Sequence, residues 1–515
     1  MSGLASSSNC SADDSVPAGA DLIVSDVYWS DMFDTTTSAE TSITSGQPYT
    51  ISATVENLGT ETSASFSATL YIDGAAVGGA ATVDGLAALA TASVSWPGMV
   101  TSDIGAHKVR VVADSEDSVS ELNNDGTAEV NNERTEWFDT VLAEWTYAVY
   151  LDGDNNLELA GHWDFLEMAM VGSSPEVNIV VQFDRAEIYD TDYGDWTDAK
   201  RFLITRGMDP SAENAYEDLG EVNMGDASVL GDFASDAFGR FRSAQTCLVL
   251  WDHGASWYGG CCRDESASND SLKTDEMREA LTTATESIGA KVDTIGFDAC
   301  VMESMEVCYA FEGLCLDVMG AESAIAGTGW PYDNILQKLV YSPSMTHEQL
   351  CAVTCDEFVI EYSDSSIDVL SAFDVDGICT TVRDALTGFA NVLISGMDRY
   401  EPHIKAARNA VYGFDVILSG MPYQDTYSAD LYTFAREVAS HIKDEQVRAA
   451  AANLMGALED ARVAFSVVAS YEPYSDIFGL MIFWPDIDVY LEEYTTERLS
   501  ADTTWDDFLL AYYAE

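Results

Sequence analysis

The chain has 515 residues, of which 47% are hydrophobic and 22% charged, with 23 basic against 88 acidic side chains and a formal net charge of −65. Such a length calls for more than one hydrophobic core, and the composition is globular rather than disordered. A charge of that sign repels nucleic-acid phosphates and anionic lipid surfaces, so both are excluded as partners, and no apolar run approaches the ~20 residues of a membrane span.

The acids are spread over the whole chain. That spread points to adaptation to a salty medium, a halophilic habit, where repulsion is screened within about 3 Å at ~1 M salt. Ten cysteines are too few for a disulfide-framed scaffold and read as buried thiols. Residues 1–20 are rich in Ser, Ala and Asp, with no positive start and no apolar stretch. They read as a disordered segment in which no signal peptide is visible.

Residues 21–131 read as an all-β module. Short runs rich in β-formers (Asp21–Val27, Tyr49–Glu56, Ser65–Tyr71, Thr91–Trp96 and Lys108–Ala113) are separated by turn signals such as Asp73-Gly74 and Pro97-Gly98. Strands of that length and spacing predict a β-sandwich, with a hairpin over residues 71–77. Residues 132–143 are predicted to be a polar linker.

From residue 144 to 515 the pattern changes to apolar runs alternating with helical periodicity, the mark of an α/β layer fold. Predicted buried strands are Thr146–Leu151, Val177–Phe183, Phe202–Thr205, Thr246–Trp251, Val292–Phe297, Leu316–Gly320 and Ile367–Phe373, with helices over Leu157–Ala169, Asp275–Ile288 and Met302–Phe311. A helical tail over roughly 397–464 and a strand over Ile477–Phe483 follow.

Two of these strands run straight into reactive residues. Cys247–Asp252 is followed by His253-Gly254, and Asp293–Asp298 by Ala299-Cys300. In a parallel sheet functional groups gather beyond the carboxyl ends of the strands. Parallel neighbours would therefore bring a thiol and an imidazole to one rim, as nucleophilic catalysis requires. Cys300 is expected to open a helix, which would ease ionisation of its thiol. Gly254, with no side chain, could bring its N–H to a substrate carbonyl as an oxyanion donor. Taken singly, a histidine after a strand is more often a structural hydrogen-bonder and a cysteine more often core; the pairing carries the reading. Asp152-Gly-Asp154-Asn-Asn156 begins like a calcium loop, but Leu157 and Trp163 stand where Gly and the bidentate Glu belong. Asp374-Val-Asp376 fails in the same way, with Ala385 at the last position. No metal-ligating residue is therefore assigned, and both segments read as structural turns.

Two resemblances extend these readings. The string Val55-Glu-Asn-Leu-Gly-Thr60, Leu70-Tyr-Ile-Asp-Gly74, Gly105-Ala-His-Lys-Val-Arg-Val-Val-Ala-Asp114 and Val119-Ser-Glu-Leu-Asn-Asn124 resembles the CARDB family of immunoglobulin-like modules. It implies an extracellular or cell-surface setting and a module able to bind a surface partner. The segments Trp145–Glu158, Leu248–Trp257, Ile295–Val307, Gly327–Tyr332 and Gly479–Pro485 resemble, in order, the conserved stretches of the clostripain family of cysteine peptidases. That resemblance implies a caspase-like α/β/α sandwich with a mostly parallel sheet, and endopeptidase activity with Cys300 as nucleophile and His253 as acid–base. It also implies protein or peptide substrates bound by Asp298 and the loop of Thr328, no required cofactor, and calcium as a structural or activating ion. Thr328 stands where relatives commonly carry an acid, which puts their preference for Arg or Lys in question. Relatives cut themselves after the histidine, where Arg263 and Lys273 are the available sites. The competing reading is a surface binding protein with an inactive peptidase-like domain.

Overall fold

The computed structural model describes residues 19–33, 42–122, 130–363, 368–411, 413–414, 428–468, 477–485 and 492–514. The chain divides into two compact units, residues 1–142 and 143–515. The segment expected to be disordered lies outside the described residues as far as residue 18.

The first unit is a sandwich of two sheets. One carries β1 (Leu22–Asp31), β3 (Tyr49–Asn57) and β6 (Thr91–Met99) in the order β1-β3-β6. The other runs β2-β8-β7-β4-β5, from β2 (Ser42–Thr44), β4 (Phe66–Ile72), β5 (Ala75–Val83), β7 (Gly105–Val112) and β8 (Glu133–Val141). Alternation drives the packing: Tyr49, Ile51, Ala53 and Val55 point inward from β3 and meet Leu70, Val109, Val111 and Phe138 in one core. The predicted linker is here corrected. Residues 133–141 form β8, antiparallel to β7 from Gly105↔Thr140 to Val112↔Glu133. The polar composition of that stretch belongs to its outer face. Phe138 and Thr140 turn inward, and the Phe138 ring meets Trp29 and Tyr49.

The second unit is built on a nine-stranded sheet of order β12-β11-β10-β9-β13-β16-β17-β18-β21. Its strands are β9 (Ala143–Gly153), β10 (Val177–Arg185), β11 (Ala199–Leu203), β12 (Glu217–Gly220), β13 (Ser243–Trp251), β16 (Val292–Asp298), β17 (Cys315–Gly320), β18 (Asp368–Asp374) and β21 (Arg462–Val468). The central strands β10-β9-β13-β16-β17 are parallel, and the edges on both sides are antiparallel. A hairpin, β14 (Cys261–Asp264) with β15 (Asp270–Leu272), follows β13. A small sheet of β19 (Gly413–Phe414), β20 (Ser428–Asp430) and β22 (Met481–Phe483) lies near the end of the unit's sequence.

Helices cover both faces. Trp145, Tyr147, Val149 and Leu151 of β9 join one core with Phe165 and Met168 of α1 (Glu158–Val171). Between residues 227 and 310 the chain adds α2 (Ala227–Arg240), α3 (Ser256–Gly259), α4 (Thr274–Ile288) and α5 (Met305–Ala310). The α1 face is completed by Leu336 of α6 (Tyr332–Tyr341) and Phe358 of α7 (His347–Glu361). Tyr150 points the other way, onto Phe233 of α2, which packs against α4. The period of two along β9 thus separates the layers of an α/β/α sandwich. The tail departs from expectation: within residues 397–464 a β-pair interrupts the helices at β20, and the last predicted strand shortens to β22.

Candidate active site

The rim of the sheet is set by register. β13 and β16 are parallel neighbours with Trp251 opposite Asp298, and the Asp252 N–H donates to the Asp298 carbonyl at 3.3 Å. His253 and Cys300 therefore leave the same edge, each two residues past that pair. Gly254 explains why no larger residue follows the histidine. A Cβ built on it would stand 2.3 Å from the Cys300 carbonyl oxygen and 3.0 Å from the Ala299 Cβ, so the two loops touch backbone to backbone.

The sequence predicted that Cys300 opens a helix, and it does not. A turn of residues 301–304 intervenes before α5, whose cap is Ser304. The turn is bent sharply at Val301, a β-branched residue with φ of +54°, held by its N–H bond to the Ser323 carbonyl at 2.9 Å. The turn is also fastened from the far end of the chain. Ser304 bridges to Met481 of β22, the Met481 N–H donates to the Glu303 carbonyl at 3.2 Å, and Glu306 Oε1 accepts from the Phe483 N–H and the Tyr494 hydroxyl at 2.9 and 2.8 Å.

Cys300 is half-buried, whereas the other eight described cysteines are fully buried; all nine are free thiols. Burial pushes the Cys300 thiol up, against the pull of the Ile325 N–H, which donates to its Sγ at 3.4 Å. The helix dipole expected to help it is replaced by this single amide. Burial, with Arg263 adding to it, holds His253 below the ordinary imidazole value. His253 Nε2 donates to Asn156 Oδ1 at 3.1 Å. Asn155 beside it donates from Nδ2 to Asp252 Oδ1 at 2.9 Å and to the Arg263 carbonyl at 3.1 Å, and the Arg263 N–H donates back to Asp252. The Asp152–Asn156 turn after β9 thus brackets the catalytic-histidine candidate. The sequence contains that turn in full, yet nothing local says that its amides reach a residue ~100 positions away.

Asp298 is buried and its Oδ2 accepts from the Trp330 N–H at 2.9 Å and the Tyr332 hydroxyl at 3.0 Å. The loop of Thr328 is thereby wrapped around it. Thr328 is exposed, its hydroxyl 2.8 Å from the Tyr362 hydroxyl, which donates to the Gly329 carbonyl. Burial pushes Asp298 up to about 7. A second acid, missed from the sequence, joins it: a Cβ on Gly329 (φ +63°) would meet Asp164 Oδ2 at 2.3 Å and Asp298 Oδ2 at 2.8 Å. Asp164 Oδ2 accepts from Trp251 Nε1 at 2.6 Å, and the Oδ1 atoms of both acids are buried without a partner among the described residues. Helical spacing with Gly161 and Met168 does put Asp164 on the inward stripe of α1, a signal readable at position i, i+3, i+7.

Comparison with known proteins bears on both units. The model of the clostripain family matches residues 149–512, and that of CARDB matches residues 19–136. The clostripain of Hathewaya histolytica is 26% identical over 224 residues, which are 38% of this chain; the chain spans 42% of that relative's length. Two solved structures share the fold of the second unit. A secreted C11 cysteine protease from Bacteroides thetaiotaomicron, in complex with an irreversible peptide inhibitor, has a TM-score of 0.53 at 16% identity, covering 71% of this chain and 100% of its own. An inactive zymogen C11 protease from Parabacteroides distasonis has a TM-score of 0.51 at 18% identity, covering 70% and 99%. The rim that carries His253 and Cys300 lies inside the matched span, so from its first central strand nearly to its last residue the chain belongs to the clostripain family.

Proposed function

We propose that this chain is a cysteine endopeptidase acting outside the cell on protein or peptide substrates, with Cys300 as nucleophile and His253 as acid–base. The observation that supports the reading is the pairing of Trp251 with Asp298, two residues beyond which His253 and Cys300 leave the same edge of the sheet. Burial favours the neutral forms of both groups at rest. With Nε2 held by Asn156, Nδ1 is left to receive the thiol proton as Sγ bonds to the carbonyl carbon of the substrate. Negative charge on the former carbonyl oxygen meets the Gly254 N–H. The C–N bond then breaks, and His253 gives its proton to the departing amine. Water, losing a proton to the same imidazole, attacks the thioester and frees the acid and the thiol.

Asp298 and the Thr328 loop form the substrate pocket in this reading. Asp164 supports a basic residue before the cut, because it adds a second buried carboxyl beside Asp298 where Thr328 offers only a hydroxyl. The chemistry needs no cofactor, and calcium fits as a steadying ion. The sandwich of residues 19–141 would hold a surface partner, and the acid excess suits a saline medium. Among the described residues no helix is long and apolar enough to cross a membrane.

The test is hydrolysis of a fluorogenic peptide library, varied at the residue before the cut, at ~1 M salt with calcium. Cys300→Ala and His253→Ala should each lower kcat/KM by on the order of 10⁴-fold, with Arg or Lys preferred by the wild type. A folded wild type no faster than Cys300→Ala would hand the second unit to the binding-protein reading.

A further inference from the structure

A few residues past His253 the chain sets two cysteines side by side, Cys261 and Cys262, at the start of β14. Neighbours along a regular strand point to opposite faces. Here the ladder to β15 shifts: Cys261 lies opposite Leu272 and Arg263 opposite Ser271, which leaves Cys262 as the extra residue of a bulge. Its φ is +57°, a conformation whose ordinary occupant is glycine. The bulge leaves the two sulfurs 3.6 Å apart, with both residues buried. A disulfide holds its sulfurs at about 2 Å, so closure asks less than about 1 Å of each.

We propose that Cys261 and Cys262 are a reversible thiol–disulfide pair whose closure re-sets the loop that carries His253. The oxidant is a low-molecular-weight disulfide. The thiolate of one cysteine attacks a sulfur of the reagent, forming a mixed disulfide and releasing one reagent thiol. The neighbouring cysteine loses its proton and attacks the protein sulfur of that bond, so the Cys261–Cys262 bond forms as the second reagent thiol leaves. The pair gives up the electrons that cleave the reagent's own S–S bond. Consecutive Cα atoms lie about 3.8 Å apart, closer than the roughly 4.4–6.8 Å usual across a disulfide, so the closed bond is strained and easily reduced, a switch rather than a staple. The histidine loop is tied to this pair on both sides. Cys261 bridges to Gly254, the Ala255 N–H donates to the Gly260 carbonyl at 2.9 Å, and the Arg263 N–H donates to Asp252. Closing the ring re-aims the peptide between Cys261 and Cys262, and with it the contacts to residues 252, 254 and 255. Burial, with the Cys261 sulfur beside it, pushes the Cys262 thiol up, so the reduced pair reacts slowly until the hairpin opens.

The proposal stands whether or not the chain cleaves peptides, because its test reads thiols and amide exchange. The full chain carrying Cys300→Ala, which removes the half-buried thiol, is equilibrated with mixtures of oxidised and reduced glutathione. Free thiols are then alkylated in denaturant and mapped by mass spectrometry. Residues 261 and 262 are expected to lose both alkylation sites together, to carry no glutathione, and to regain both sites in excess reduced glutathione. Cys261→Ala and Cys262→Gly, added singly, leave one cysteine without its neighbour, which should stay free or hold glutathione. Glycine suits the left-handed φ, so the second of these should fold. Hydrogen exchange at the Ala255 and Arg263 amides should differ by at least ~3-fold between the oxidised and reduced chain, and should not depend on redox state in Cys262→Gly. A pair that stays alkylatable in the most oxidising mixture, that takes up glutathione or another cysteine instead, or that closes without changing exchange at those two amides would overturn the proposal.

Discussion

At Cys300 two opposing influences meet, burial raising the thiol pKa and one amide lowering it, and burial prevails. Iodoacetamide should therefore label Cys300 slowly near neutrality, with the rate still climbing at about pH 9. Peptide mapping would locate the label, and a plateau already at about pH 7 would mean a preformed thiolate–imidazolium pair instead. Gly254 gives a second expectation. Gly254→Ala must push apart the 253–255 loop and the Cys300 backbone, at a cost of about 1–3 kcal/mol. A lower Tm and an altered Cys300 labelling rate would be measured together; an unchanged Tm would show that the loops are not locked. Both residues could be named from the sequence because strand ends are readable there. Their electrostatics could not, since the Ile325 amide and the Val301 bend depend on a loop that folds back from over twenty residues away.

Among the elements, the central strands were the most legible. Continuous apolar runs such as Cys247–Trp251 of β13 and Ile179–Val181 of β10 are expected to be buried on both faces, and they are. β8 was not, because Glu133, Arg134, Glu136 and Asp139 dominate its composition while the inward set is Phe138 and Thr140. Its weight in the sandwich is testable: Phe138→Ala should cost the first unit about 3–5 kcal/mol, read as a lower calorimetric transition for that unit. A loss below about 1 kcal/mol would mark β8 as peripheral. The start of α5 was misjudged by a few residues, since helix boundaries answer to caps, and the Ser304 cap is read only once the turn before it is known.

Across the whole molecule, acidity and burial act together. Burial pushes Asp298 and Glu167 up to about 7 and Glu497 up to about 8, whereas unfolded carboxyls titrate near pH 4. Between those limits the folded chain holds protons that the unfolded chain has released. Stability is therefore greatest below the unfolded values, falls as pH rises through about 4 to 8, and levels off above. With a net charge of −65 the repulsion grows in the same direction. At fixed salt the Tm at about pH 8 should lie at least ~2 °C below that at about pH 5; the reverse order would mean that these carboxyls are ionised in the fold.

The turn that presents Cys300 depends on Met481, Phe483 and Tyr494. During synthesis the strands bearing His253 and Cys300 leave the ribosome long before those residues do. A half-made chain thus has its thiol and imidazole without the clamp that shapes the turn, and completion of translation becomes the last step in assembling the site. A chain truncated ahead of residue 481 would keep the central strands of the sheet but lose the contacts that fasten this turn.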